Sequence, residues 1–146
     1  MRNWTALLAA ALGVALLGGL SILSMDRTLG KLCGNAPIDE VVSPDGARKA
    51  VVFQRSCGAT TGDSTHVSIL PADASLPDEI GNLVTADTDH GRAPGGPGGG
   101  PKMRVVWRGN STLAIFHHPN ARLFGARTVH DEISILYQDD PQAEHP

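Results

Sequence analysis

Aromatic residues are scarce in this chain, with two Trp, one Tyr and three Phe among 146 residues. So few rings cannot fill a core and also line a large aromatic pocket, which sets that class of binding site aside. Basic clusters are missing too. From Asp26 onward, eleven Lys and Arg are dispersed among fifteen Asp and Glu. Nucleic-acid recognition needs a concentrated positive face, and none is present. The sequence also lacks G-x-S-x-G, a P-loop, a dinucleotide fingerprint, H-E-x-x-H and cysteine pairs at zinc spacing. No metal and no cofactor is therefore expected. The length allows one domain with a core, not two.

What the chain does have begins at its N-terminus. Trp4 to Leu23 carries no charge, and twenty residues of helix span about 30 Å, the thickness of a bilayer's hydrocarbon core. Arg2 precedes the run, and Asp26, Arg27 and Lys31 follow it. The positive-inside rule keeps the start cytoplasmic and exports the rest. Residues 1–25 are thus expected to form one N-terminal transmembrane helix in a bacterial inner membrane, with the following domain periplasmic. The alternative is a signal segment that is cleaved, releasing a secreted domain. Against that stand the length of the run and the absence of an A-x-A site after it. A lipid anchor is disfavoured because Cys33 lies ten residues beyond Leu23 and follows Lys31-Leu32.

Export gives meaning to the only two cysteines, Cys33 and Cys57. Outside the reducing cytosol an isolated pair is expected to form a disulfide. On the chain-entropy model, closing a loop of this length contributes roughly 3 kcal/mol.

Beyond residue 26 the periodicity is that of strands. Ser43-Pro44-Asp45-Gly46 has the residue preferences of a type I turn and separates Val41-Val42 from Ala50-Val51-Val52-Phe53. Val67 and Ile69 alternate with His66 and Ser68, and Leu83 to Ala86 reads as a weaker strand. Met103, Val105 and Trp107 alternate with Arg104, Val106 and Arg108; Gly109-Asn110-Ser111 turns the chain; Leu113 and Ile115 continue the pattern. A last strand is expected from about Val129 to Tyr137, with Val129, Ile133, Ile135 and Tyr137 inward. The expected fold is an all-β exported domain over 26–138, a twisted antiparallel sheet or small sandwich of five to seven strands. Residues 90–101, nine of them Gly or Pro, bury too little apolar surface to offset ordering and read as a disordered loop. An acidic tail, 139–146, is expected to fray.

Ser43-Pro44-Asp45-Gly46 and the stretch from Trp107 to Ile115 resemble pieces of β-propeller blades. The roughly 120 exported residues cannot supply the blades that closure needs, so the resemblance implies one sheet or a pair. Ser43 to Leu70, with its SPDG turn, Cys-Gly-Ala-Thr-Thr-Gly loop and Val67-Ser68-Ile69 strand, is similar to a family of small bacterial envelope proteins. Val105-x-Trp107 and Leu113-x-Ile115 fit the same pattern. That resemblance carries no activity.

The segment Cys57 to Gly62 is the most site-like. Gly58, Thr60, Thr61 and Gly62, with His66 nearby, offer backbone N–H groups and hydroxyls for an anion or carbonyl. The plainer reading is a tight connection between strands, with Cys57 tied to Cys33. A thiolate at Cys57 acting beside a histidine would make a small hydrolase or thiol enzyme, but a disulfide would remove that nucleophile. His130 and Glu132, two apart on the expected last strand, would share a face as solvated residues rather than metal ligands. The reading is a membrane-anchored envelope module, non-enzymatic, that binds an envelope protein or a small polar ligand and no nucleic acid.

Overall fold

The first reversal is built by a side chain that imitates backbone. In the computed structural model, which describes residues 33–58 and 62–140, Ser43 donates its hydroxyl to the Asp45 carboxylate at 2.6 Å and accepts the Arg48 N–H at 3.0 Å. Gly46, at φ +72°, completes a bend that L side chains rarely adopt. The turn joins β1 (Gly34–Val42) to β2 (Arg48–Ser56). Between Pro37 and Asp39 the register slips, so Ile38 bulges out of the ladder and packs against the core.

Nine strands follow in all among the described residues, more than the five to seven expected, because two are only two or three residues long. The others are β3 (Ser64–Pro71), β4 (Val84–Asp87), β5 (Met103–Trp107), β6 (Thr112–His117), β7 (Arg122–Phe124), β8 (Val129–His130) and β9 (Ile133–Asp139). They form two sheets, ordered β1-β2-β3-β4-β7 and β5-β6-β9-β8. The chain changes sheet after β4, after β6 and after β7. That last return sets β9 parallel to β6, so the fold is a sandwich and not wholly antiparallel.

The expected single last strand is in fact a hairpin. Asp131 and Glu132 have φ of 45° and 66°, the two successive left-handed residues of a two-residue turn whose twist suits paired strands. Val129, expected inward, is left 60% exposed on β8. His130 is in a strand and Glu132 in the turn, so the two do not share a strand face.

Alternation sets the core. Ala50, Val52, Val67, Ile69, Val84 and Ala86 face inward from the first sheet, against Met103, Val105, Leu113, Ile115, Ile133 and Ile135 from the second. Each fully buried aliphatic side chain contributes about 1.5–3 kcal/mol. Trp107 donates its indole N–H to the Val41 carbonyl at 2.9 Å, linking the two layers.

Residues 90–101 are not a disordered loop. Ala93, Gly100 and Pro101 are buried, Gly95 bridges Pro101, and the Thr65 hydroxyl donates to the Pro101 carbonyl at 2.8 Å. A Cβ on Gly98 would lie 2.7 Å from Gln54, and one on Gly100 only 2.6 Å from the Thr65 nitrogen. The glycines let backbone approach backbone, and that contact replaces the apolar burial the composition lacks.

The expected acidic tail begins later than 139: Asp139 ends β9, and Asp140 is buried with its N–H donated to the His117 carbonyl at 2.8 Å. The expected transmembrane helix, residues 1–25, lies outside the described residues. Among the described residues no helix is long and apolar enough to cross a membrane.

Candidate functional site

The register of β3, β4 and β7 fixes which side chains share the outer face of the five-stranded sheet. Thr85 pairs with His66 on one side and Phe124 on the other, while Asp87 pairs with Arg122. Because alternate residues point the same way, Ser64, His66, Thr85, Asp87, Arg122 and Phe124 all face outward. A cleft of about 390 Å³ opens there, bordered also by Gly62, Asp63, Thr88 and His90.

Its charges are paired. Arg122 grips Asp87 with both Nε, at 2.9 Å, and Nη2, at 2.6 Å, and its Nε lies 3.3 Å from Asp89. The hydrogen bond from Arg122 holds the Asp87 carboxyl below its usual range, and the same contact raises the guanidinium. Asp89, His90 and Gly91 are three successive left-handed residues, with φ of 47°, 59° and 86°. This turn presents His90 to solvent beside the Asp89 carboxylate, at 3.5 Å. The Arg122 guanidinium also lies 5.6 Å from the Phe124 ring, which is half exposed at the rim.

Beneath the cleft lies His66, 3% exposed and stacked on Phe53 with ring centroids 5.3 Å apart. The Gly81 N–H donates to its Nδ1 at 3.1 Å, so that nitrogen holds a lone pair, which the Thr85 hydroxyl shares at 3.0 Å. The proton is therefore on Nε2 and is donated to Ser64 Oγ at 2.8 Å. Burial, with the Arg55 charge second, pushes the imidazole pKa down to about 4, so the ring is neutral at pH 7. A base for Ser64 would have to accept its proton, whereas this ring supplies one to it.

Of the residues singled out in the sequence, Gly62 borders the cleft and Gly58 stands at φ +98° with open space around it. Thr60 and Thr61 lie outside the described residues. His66 reaches the cleft only through Ser64 and Thr85, both of its nitrogens being engaged within the fold. The Cys33–Cys57 disulfide is present, as expected. It is a cross-strand bridge, because Gly34 pairs with Ser56 and the next step of that register opposes 33 to 57. Sequence reasoning missed Asp87, Asp89, Arg122 and Phe124, and weighed His90 only among the histidines as a metal alternative. The only local signal was their spacing of two, Asp87-x-Asp89 and Arg122-x-Phe124, which is common in any strand. No group of three or more metal-ligating side chains occurs among the described residues.

Fold and site together define a two-sheet β-sandwich with a polar cleft at one end of an outer face. No family model matches the chain, and neither a curated protein nor a solved structure matches it.

Proposed function

We propose that this is a membrane-anchored, non-enzymatic binding module of the bacterial envelope that takes a small hydroxyl-rich ligand in the Arg122–Asp87 cleft. One observation carries the reading: the cleft gathers acceptor carboxylates, donor guanidinium, hydroxyls and an exposed ring around about 390 Å³, with no activated nucleophile among the described residues. Asp63 and Asp87 accept hydroxyl protons, Arg122 donates, and Phe124 offers an apolar surface to C–H groups. The alternative, a small hydrolase or thiol enzyme on the Cys57 loop, has no thiolate while Cys57 is bonded to Cys33. Placement outside the cytosol is supported by that disulfide, by Arg2 and by the uncharged run from Trp4 to Leu23. Similarity of the Ser43–Leu70 pattern to small envelope proteins points the same way.

The test is a titration of the ¹⁵N-labelled full chain, in neutral detergent, with neutral mono- and disaccharides. Saturable shifts at Gly62, Ser64, Thr88 and Arg122, lost in Arg122→Gln, are expected. Shifts confined elsewhere, or ester or peptide hydrolysis that disappears in Ser64→Ala, would overturn the reading.

A further inference from the structure

Two hydroxyls border the cleft where His66 lies beneath it, and a hydroxyl can turn either its proton or its lone pairs toward a ligand. Ser64 and Thr85 are half-buried and stand at opposite nitrogens of the His66 ring, Ser64 at Nε2 and Thr85 at Nδ1. Which end of each O–H meets a ligand therefore depends on which ring nitrogen carries the proton.

A backbone N–H decides that. Gly81 can only donate, and it donates to Nδ1 at 3.1 Å. A Cβ on Gly81 would come within 2.8 Å of the Val67 and Val84 carbonyl oxygens and 3.0 Å of the His66 Cβ, so this close approach of backbone to the ring is open to glycine alone. The opposite tautomer would set N–H against N–H on a ring only 3% exposed. Thr85 Oγ1, 3.0 Å from the same nitrogen, finds a lone pair there and can only give up its proton to it. What Thr85 keeps for the cleft is its own lone pairs. Ser64 stands in the opposite relation. Its Oγ takes the Nε2 proton at 2.8 Å. The other acceptor it reaches among the described residues is the Arg55 carbonyl at 3.4 Å, outside the range of about 2.5–3.0 Å usual for O–H···O bonds. The Ser64 proton is left for a ligand.

We infer that His66 is a positioning residue that sets the hydrogen-bond polarity of the cleft, fixing Thr85 as an acceptor and Ser64 as a donor, an assignment of specificity that rests on the cleft being the ligand site. The group seated over Thr85 must bring a proton, and the group beside Ser64 must bring a lone pair. Hydroxyls do both, so a neutral sugar satisfies the pair through two of its own hydroxyls. A carboxylate has no proton for Thr85 and would also lie near Asp63 and Asp87. The site therefore selects neutral sugars over sugar acids.

The tautomer is read first, from the long-range proton–nitrogen correlations of the imidazole in the ¹⁵N-labelled full chain, in neutral detergent at pH 7. A protonated Nε2 and a bare Nδ1 are expected; a protonated Nδ1 would overturn the inference with no ligand involved. Glucose, galactose, mannose and glucuronate are then titrated. Neutral sugars are expected to shift Ser64 and Thr85 saturably, and glucuronate to bind about tenfold more weakly. Thr85→Val, which keeps the branched shape without the hydroxyl, should weaken the neutral sugars by about as much. His66→Leu should do the same, and His66→Gln, whose amide keeps one donor and one acceptor, should restore most of the binding. If His66→Leu does not fold, the tautomer, Thr85→Val and His66→Gln carry the test. Sugar binding that Thr85→Val and a folded His66→Leu leave unchanged would overturn the role of His66 and leave the cleft as the site. No shift in the cleft with any sugar would overturn the cleft itself, and this assignment with it.

Discussion

Val51 and Phe53 point outward from the five-stranded sheet and are completely buried, while Val106 and Leu136, outward from the four-stranded sheet, keep over a third of their surface. The difference lies in residues 72–83, which fold back over the first sheet. Asn82 pairs with the Ile69 backbone through its side-chain amide, accepting at 2.9 Å and donating at 2.8 Å, as a neighbouring strand would. Asn35 donates to the Pro77 and Glu79 carbonyls, at 2.9 and 2.7 Å, and Arg55 meets Asp78 at 3.1 Å. Gly81 sits so close that a Cβ would come within 2.8 Å of the Val67 and Val84 carbonyl oxygens. One outer face has thus become a second small core, and the other has not. Burial on the first contributes to stability, whereas the same residue types on the second stay partly open to solvent.

The strongest way to break this comparison is to truncate both faces. Phe53→Ala should cost about 3–5 kcal/mol in urea unfolding, and Leu136→Ala less than about 1 kcal/mol. Equal losses would mean that the second face is covered as well. Next is the bridge on the covered sheet. Cys57→Ser and Cys33→Ser should each destabilise by about 2–5 kcal/mol, and the double variant should add little, since either change breaks the same bond. A neutral Cys33→Ser beside a costly Cys57→Ser would argue against the cross-strand tie.

Acid sharpens the comparison further, because the covered face contains a histidine whose pKa falls from 6.5 to about 4 on folding. The unfolded chain takes up a proton at that position first, so stability is full above pH 6.5 and falls as pH drops toward 4. Between pH 7 and pH 5 the loss from this one group is about 2 kcal/mol. It should be missing from His66→Gln when unfolding midpoints are compared at the two pH values. The smallest effect belongs to the bare sheet. Glu132, at φ 66° in the β8–β9 turn, pays the left-handed penalty of a residue with a Cβ, so Glu132→Gly should raise stability by about 1 kcal/mol. A loss instead would show the Glu132 side chain to be in use.

How much could be read from residues alone depends on how local each feature is. The SPDG turn, the alternation of Met103 to Trp107 and the pairing of two lone cysteines are decided within a few residues or by simple elimination. The β8–β9 hairpin escaped notice because its turn uses Asp131-Glu132, where Asp suits a turn but no glycine follows it to mark the left-handed pair. The Gly/Pro segment misled for the opposite reason. Its composition matches that of flexible chain, but these glycines are where backbone packs on Gln54 and Thr65. His66 was legible as a polar group near the Cys57 loop, yet its burial depends on Gly81, Thr85 and Phe53, which local pattern does not join to it.

By itself, then, the sequence determined that the described chain would be β, where its best strands run and that Cys33 would meet Cys57. Strand periodicity, turn chemistry and the scarcity of cysteine are sufficient for that. Only the tertiary structure decided that β9 lies parallel to β6, that 72–83 covers one sheet and not the other, and that Asp87 meets Arg122 across 35 positions. These depend on which strand edges find each other, a choice made by non-local burial and ladder pairing, to which no short stretch of residues is sensitive.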